Sequence, residues 1–226
     1  ESQRPTLFAV LSYAQICPES WGGIVPKVNT TRLAQAFESH IRAHRKGIRD
    51  SLSSRPTKHV LYWKKTAYNW LCCCRQLPPS FDETGQLTTK TNFGELYFES
   101  LDSRDLAFVA LNTKAAFLFW CIMGDDLNVP RWVFADFPLD LGALPADIET
   151  GLVVMGEPLQ RAMEAAVSFK LNAGKKVGNY NLAQCRSVTD LADEVLLRAM
   201  GLDAATEDLE LLYVQMVRTD FDGDRE

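Results

Sequence analysis

The chain has no apolar run approaching the roughly 18 to 20 residues that cross a bilayer, and its opening lacks the basic-then-apolar layout of a secretory signal. A soluble, cytoplasmic protein that does not enter a membrane is therefore expected. No G-x-G-x-x-G and no G-x-x-x-x-G-K-[ST] occurs anywhere, which removes the ordinary glycine-rich phosphate cradles. Histidine is scarce, at three residues. His40 and His44 stand one helical turn apart, but no catalytic Glu lies between them and no third ligand follows at zinc spacing. With Arg42 and Arg45 interspersed, they read as an extension of a basic surface. The six cysteines lack both C-x-x-C spacing and the layout of a disulfide scaffold. Cys72, Cys73 and Cys74 are consecutive, so their side chains diverge and cannot converge on one metal. Buried packing is the expected role, and neither a cysteine nucleophile nor an aspartate-rich nuclease pattern is discernible.

What is present is a 226-residue chain with 46% apolar residues, enough to bury a substantial core. Glu1 and the linker-like Glu1-Ser-Gln-Arg-Pro5 suggest a fragment of a longer protein. The net charge of −5 argues at first against nucleic acid. The charge is unevenly placed, however. From Asp203 to Glu226 eight acidic residues face only Arg218 and Arg225, and the rest of the chain carries a net +1. Between Glu38 and Lys65 lie eight Lys and Arg against Glu38 and Asp50. Such asymmetry suits a polyanionic partner, although a merely solvated face gives the same pattern.

Apolar periodicity predicts a helix over Thr31–Arg49, with Leu33, Phe37, Ile41 and Ile48 near one face. Lys58–Trp63 and Glu95–Glu99 read as strands. A single helix is expected from about Ser103 to Cys121, capped by Asp102 or Ser103 and ended by Gly124 with Asp125 and Asp126. A helix through Ile148–Val167 should be kinked or split by Pro158. Gly174–Asn181 reads as a basic loop, Ser187-x-x-Asp190 as a capping-box start for a helix ending at Gly201, and Leu209, Leu212, Tyr213 and Met216 as one face of a last helix. The expected class is α+β, with a strand-rich, DNA-recognising part over residues 1–140 and a helical part over 141–226, packed as one body.

Two segments carry the chemistry. Lys58-His-Val-Leu-Tyr-Trp-Lys-Lys65 alternates basic and aromatic groups as a groove-facing strand would, or as an amphipathic strand with snorkelling lysines. In Gly174-Lys-Lys-Val-Gly-Asn-Tyr-Asn181, glycines permit close approach of the backbone to a phosphate while Asn179, Tyr180 and Asn181 offer donors. An ordinary exposed loop is the alternative.

Ile24-Val-Pro-Lys27, Leu96-Tyr-Phe-Glu-Ser100, Arg104-Asp-Leu-Ala-Phe-Val-Ala-Leu-Asn112, Phe117-Leu-Phe-Trp120 and Val129-Pro-Arg-Trp-Val-Phe-Ala-Asp-Phe-Pro138 occur in an order that resembles the C-terminal target-recognition region of adenine-specific (N6) DNA methyltransferases of type II restriction–modification systems. Lys175–Asn181 and Leu209–Tyr213 resemble the extension of the larger members. That family's cofactor loop and its [NDS]-P-P-[YF] adenine clamp are missing; Leu77-Pro-Pro-Ser80 lacks both the polar acceptor and the aromatic. The resemblance therefore implies a recognition fragment without cofactor, whose parent chain holds S-adenosylmethionine and a catalytic methyltransferase domain. It implies double-stranded DNA as partner. Phosphate contacts are expected from Arg42, Arg45, Lys46, Lys175 and Lys176. Base or shape contacts are expected from His59, Tyr62, Lys64, Lys65, Asn92 and Arg131, with Asn179 and Tyr180 beside them. The other classes open to this sequence are a protein-interaction or regulatory module of a multi-subunit assembly, and a hydrolase assembled from scattered residues.

Overall fold

The computed structural model describes residues 17–203 except 22, 24, 29–30, 44–45, 68–69, 90–91 and 125–127. The last predicted helix, around Leu209–Met216, lies outside the described residues. The fold is α+β, with two antiparallel three-stranded sheets.

The first sheet is built on β1 (Val60–Lys64), flanked by β2 (Cys73–Cys74) and β4 (Phe93–Tyr97) in the order β2-β1-β4. Its two faces follow the period of two that a strand imposes. Leu61 and Trp63 are buried, while Val60, Tyr62 and Lys64 are half-exposed on the other side. Trp63 pairs with Gly94, where a β-carbon would stand inside the indole ring.

The second sheet joins β3 (Ser80–Phe81) to the hairpin of β5 (Val167–Asn172) and β6 (Lys175–Tyr180), in the order β3-β6-β5. This corrects two readings. The expected helix ends at Ala165 and Val167 onward is strand, and the predicted basic loop over Gly174–Asn181 is mostly β6. The last third is therefore not purely helical, and the β3–β6 ladder pairs residues 80–81 with 176–177. The hairpin turns on Ala173 and Gly174, both at positive φ, which matches the primed turn that follows the natural strand twist. Glycine adopts that conformation freely, but Ala173, at φ 47, strains its β-carbon. Ala173→Asn is expected to raise unfolding stability by about 0.5–1 kcal/mol, read by urea titration, because Asn tolerates this turn conformation best after Gly. A loss of stability would contradict the turn assignment.

The helices pack with the sheets in a shared core. In α1 (Thr31–Ala43) the predicted apolar face is borne out by Leu33 and Phe37, both fully buried. His40, expected on a basic surface, is instead buried, and its Nε2–H donates to the Pro138 carbonyl at 2.6 Å. The helix ends earlier than Arg49, and Ile48–Ser51 is a separate 3-10 turn. The single apolar helix expected from about Ser103 is two helices, α2 (Leu101–Ala110) and α3 (Lys114–Met123), bent by 73°. Thr113 makes the break: its hydroxyl donates to the Ala110 carbonyl at 2.6 Å and accepts from Ala116 N–H at 3.5 Å, closing one helix and capping the next. The cap of α2 is Ser100, whose Oγ accepts from Ser103 N–H, rather than Asp102 or Ser103. The end of α3 at Gly124 is as expected.

The aromatic segment from Arg131 begins with a short helix, α4 (Arg131–Ala135). Pro158 lies inside the continuous α5 (Ala146–Ala165) without splitting it. The carbonyl deprived of its donor belongs to Val154, which is 63% exposed and open to water. The last described helix, α6 (Arg186–Ala199), starts one residue before the expected capping box. It ends in a Schellman turn, with Gly201 N–H on Arg198 O and Leu202 N–H on Leu197 O. One hydrophobic cluster runs through these elements, from Trp21, Phe37 and Leu61 to Phe108, Phe134, Leu159 and Leu196. Among the described residues no single helix is long and apolar enough to cross a membrane. The bent α2–α3 pair is apolar because nearly every position from Leu106 to Ile122 is buried in this core.

Candidate nucleic-acid interface

Between the two sheets lies a cleft of about 570 Å³. One wall comes from the end of β1 and the start of β4, and carries Lys64, Thr66 and Asn92. The facing wall is the β5–β6 hairpin. Its register sets Ser168 opposite Asn179, Lys170 opposite Val177 and Asn172 opposite Lys175, so these six share one face of the ribbon. Every member except Val177 is polar. The bottom is formed by buried Leu71, Cys72 and Leu182, with Trp70 and Tyr180 beside them. Trp70 is held by stacking on Phe117, at a centroid distance of 4.2 Å and 18° between planes.

The hairpin is fixed close to the body by Gly178. Its N–H donates to Pro79 O at 3.0 Å, and a β-carbon there would stand 2.2 Å from that oxygen. Tyr180 is anchored as well. Its hydroxyl donates to Gln76 O at 3.1 Å, and burial, with the neighbouring Cys74 and Cys72, pushes the phenol far above its ordinary value, so it stays neutral. Asn179 Nδ2–H donates to Val177 O at 3.3 Å, leaving its oxygen to accept; Asn181 Oδ1 accepts from Ala183 N–H, leaving its amide to donate.

The electrostatics of the cleft differ from those of the chain as a whole. No acidic side chain lines it among the described residues. Lys64, Lys170, Asn92 and Asn172 make no side-chain hydrogen bond or ion pair among the described residues. By contrast Lys46 lies 3.8 Å from Asp140, and Arg49 pairs with Asp136. Two of the eight positive charges counted up to Lys65 are thus answered locally.

Of the residues singled out in the sequence, the structure brings Lys64, Asn92, Asn179 and Tyr180 to this one cleft. Tyr62 shares the half-exposed face of β1 with Lys64, opposite Glu95 and Cys74, and burial raises its phenol. Lys175 and Lys176 flank the hairpin turn outside the lining, and the Lys176 ammonium sits 4.6 Å from the centre of the Phe169 ring. Lys65 is exposed just past β1, its backbone tied to Asn92 and Val129. His59 precedes the opposite end of β1, about 17 Å of strand from Lys64. Arg131 is exposed on the first turn of α4, outside the lining. The side chain of Arg42, and all of Arg45, lie outside the described residues.

Lys170, Asn172, Ser168, Thr66 and Trp70 were not singled out in the sequence. The signal for the first three was present: Ser168-Phe-Lys-Leu-Asn172 alternates polar and apolar residues and runs into Ala173-Gly174, which is hairpin patterning. It was masked by the preceding helical periodicity, which continues in phase to Val167.

Cys72, Cys73 and Cys74 are buried, as packing requires, and burial pushes the Cys73 thiol well above its ordinary value. No group of three metal-ligating side chains occurs among the described residues. A second hollow of about 530 Å³ lies between α1 and the end of α6, with Gln35, His40 and Arg198 in its wall. No model of a protein family, no curated protein and no solved structure matches this chain.

Proposed function

We propose that this chain is a DNA target-recognition module, the part of an adenine-specific restriction–modification methyltransferase that selects the site. A catalytic domain of the same parent chain, holding S-adenosylmethionine, would transfer the methyl group. The sequence resemblance suggests this reading, and one observation carries it furthest: Lys64 and Lys170, without carboxylate partners, face a cleft lined by Asn92, Asn172, Asn179 and Asn181, in a chain whose net charge is −5. Unpaired ammonium groups suit phosphates, and carboxamides present the donor–acceptor pairs that read base edges.

A protein-interaction module is the second reading. It is favoured by the exposed edge strand β5, where Phe169 is 40% and Leu171 80% exposed. Salt dependence separates the two. Each phosphate contact releases condensed counterion, so the Lys64→Ala/Lys170→Ala double variant is expected to weaken binding to every DNA sequence. It should also flatten the slope of log affinity against log salt by about 2. Lys46→Ala, whose partner is Asp140, is expected to change that slope by less than about 0.5. Native affinity and slope in the double variant would remove the cleft as the DNA surface.

A further inference from the structure

The shape of the cleft is at odds with the way paired DNA is read. Base edges in a duplex are reached by a convex element, a helix or a two-stranded ribbon, that enters a groove about 12 Å wide. Here the polar face of the β5–β6 ribbon is turned inward, with Ser168, Lys170, Asn172 and Asn179 lining the space opposite Lys64 and Asn92. A concave site of about 570 Å³ falls within the roughly 300–1,000 Å³ range of sites that engulf a small molecule. A single base outside the stack fits a site of this size.

The chemistry of the walls matches such a ligand. Unpaired bases are bound by stacking on aromatic rings and by hydrogen bonds to edges that pairing would hide. Trp70, fixed by Phe117, gives a ring that needs no ordering on binding. Asn92 and Asn172 keep both halves of their amides unengaged among the described residues, and the two lysines can take the phosphates on either side. Resting on the proposed DNA-recognition role, we infer that the cleft is a binding site for an unpaired nucleotide, held with its base between the sheets and its backbone on Lys64 and Lys170.

The unpaired nucleotide can come from a single strand or from a local opening in a duplex, and three fluorescently labelled probes distinguish these: a mixed-sequence single strand, its perfectly paired duplex, and that duplex carrying one bulged nucleotide. Anisotropy titration of the 226-residue chain is expected to give at least tenfold tighter binding to the bulged duplex or to the single strand than to the perfect duplex; whichever binds tighter identifies the source. Asn92→Ala/Asn172→Ala, at exposed positions, is expected to abolish that preference, so that the three probes bind with affinities within about twofold of one another. Lys64→Ala/Lys170→Ala is expected to weaken all three probes. Equal binding of perfect and interrupted duplexes, or a preference that survives the double Asn variant, overturns the inference and leaves the recognition reading standing. Absence of binding to all three probes overturns both.

Discussion

Replacing Asn112 with Ala is expected to lower unfolding stability by about 3 to 5 kcal/mol, seen as a shift of roughly 10 °C in the thermal midpoint. Asn112 is fully buried at the junction of α2 and α3. Its Oδ1 accepts from Cys73 N–H at 3.0 Å, and its Nδ2 donates to Cys73 O at 3.0 Å and to Phe108 O at 2.7 Å. The carboxamide thus takes the place of a neighbouring strand along the outer edge of β2, satisfying both backbone groups that β1 leaves unpaired. Truncation strands an N–H and a C=O in a dry core, each costing about 1–3 kcal/mol. Asn112→Asp is expected to do no better, since a carboxylate loses both donated bonds and buries a charge. Because Cys72 lies at the bottom of the cleft, the proposed binding of DNA there should weaken together with stability in these variants. A loss below about 1 kcal/mol would show that β2 is not held by this amide.

The second large effect is one of pH. Asp193, on α6, is 3% exposed. Its Oδ1 accepts from Lys114 N–H at 2.7 Å at the start of α3, while its Oδ2 finds no hydrogen bond among the described residues, the Lys114 ammonium standing 3.9 Å away. Burial pushes the carboxyl up to about 7, opposed by Lys114 and Arg186 and reinforced by Asp190. A carboxyl whose folded value lies above its unfolded value contributes most to stability while protonated in both states. That contribution is full below about pH 4 and is lost as pH rises through about 7.

Asp193→Asn keeps the acceptor for Lys114 N–H and removes the titration. The variant is therefore expected to match the native chain near pH 4 and to exceed it increasingly up to pH 7–8, by about 4 kcal/mol at the plateau. Urea titrations at four or five pH values read this difference. A difference that stays flat with pH would place the Asp193 carboxyl in its ordinary range.

Much of the local structure is legible in the residues. The α+β class, the buried face of Leu33 and Phe37, the strand around Leu61 and Trp63, and the helix end at Gly124 follow from side-chain periodicity and capping chemistry, which act within a few residues. The burial of Cys72–Cys74 follows equally from composition. Where local signals conflicted, the sequence misled. Apolar spacing through Ile148–Val167 ran on into a strand, and a continuous apolar run from Ser103 concealed the break at Thr113, whose hydroxyl serves both helices.

The candidate site was only half legible. Lys64, Asn92, Asn179 and Tyr180 stood out for their chemistry, but nothing in the chain indicates that they share a cleft, because residues 64 and 179 meet only through the packing of two separate sheets. The same packing decided which charges remain available. Lys46 and Arg49 look as basic as Lys64 and Lys170 in the sequence, but Asp140 and Asp136 answer the first pair, and no carboxylate among the described residues answers the second. Side-chain identity and short-range periodicity are properties of neighbours along the chain, and the sequence alone determines them. Charge pairing, the fate of His40 against Pro138 and the inward turn of the β5–β6 ribbon depend on partners some 80 to 110 residues away, and only the tertiary structure supplies those.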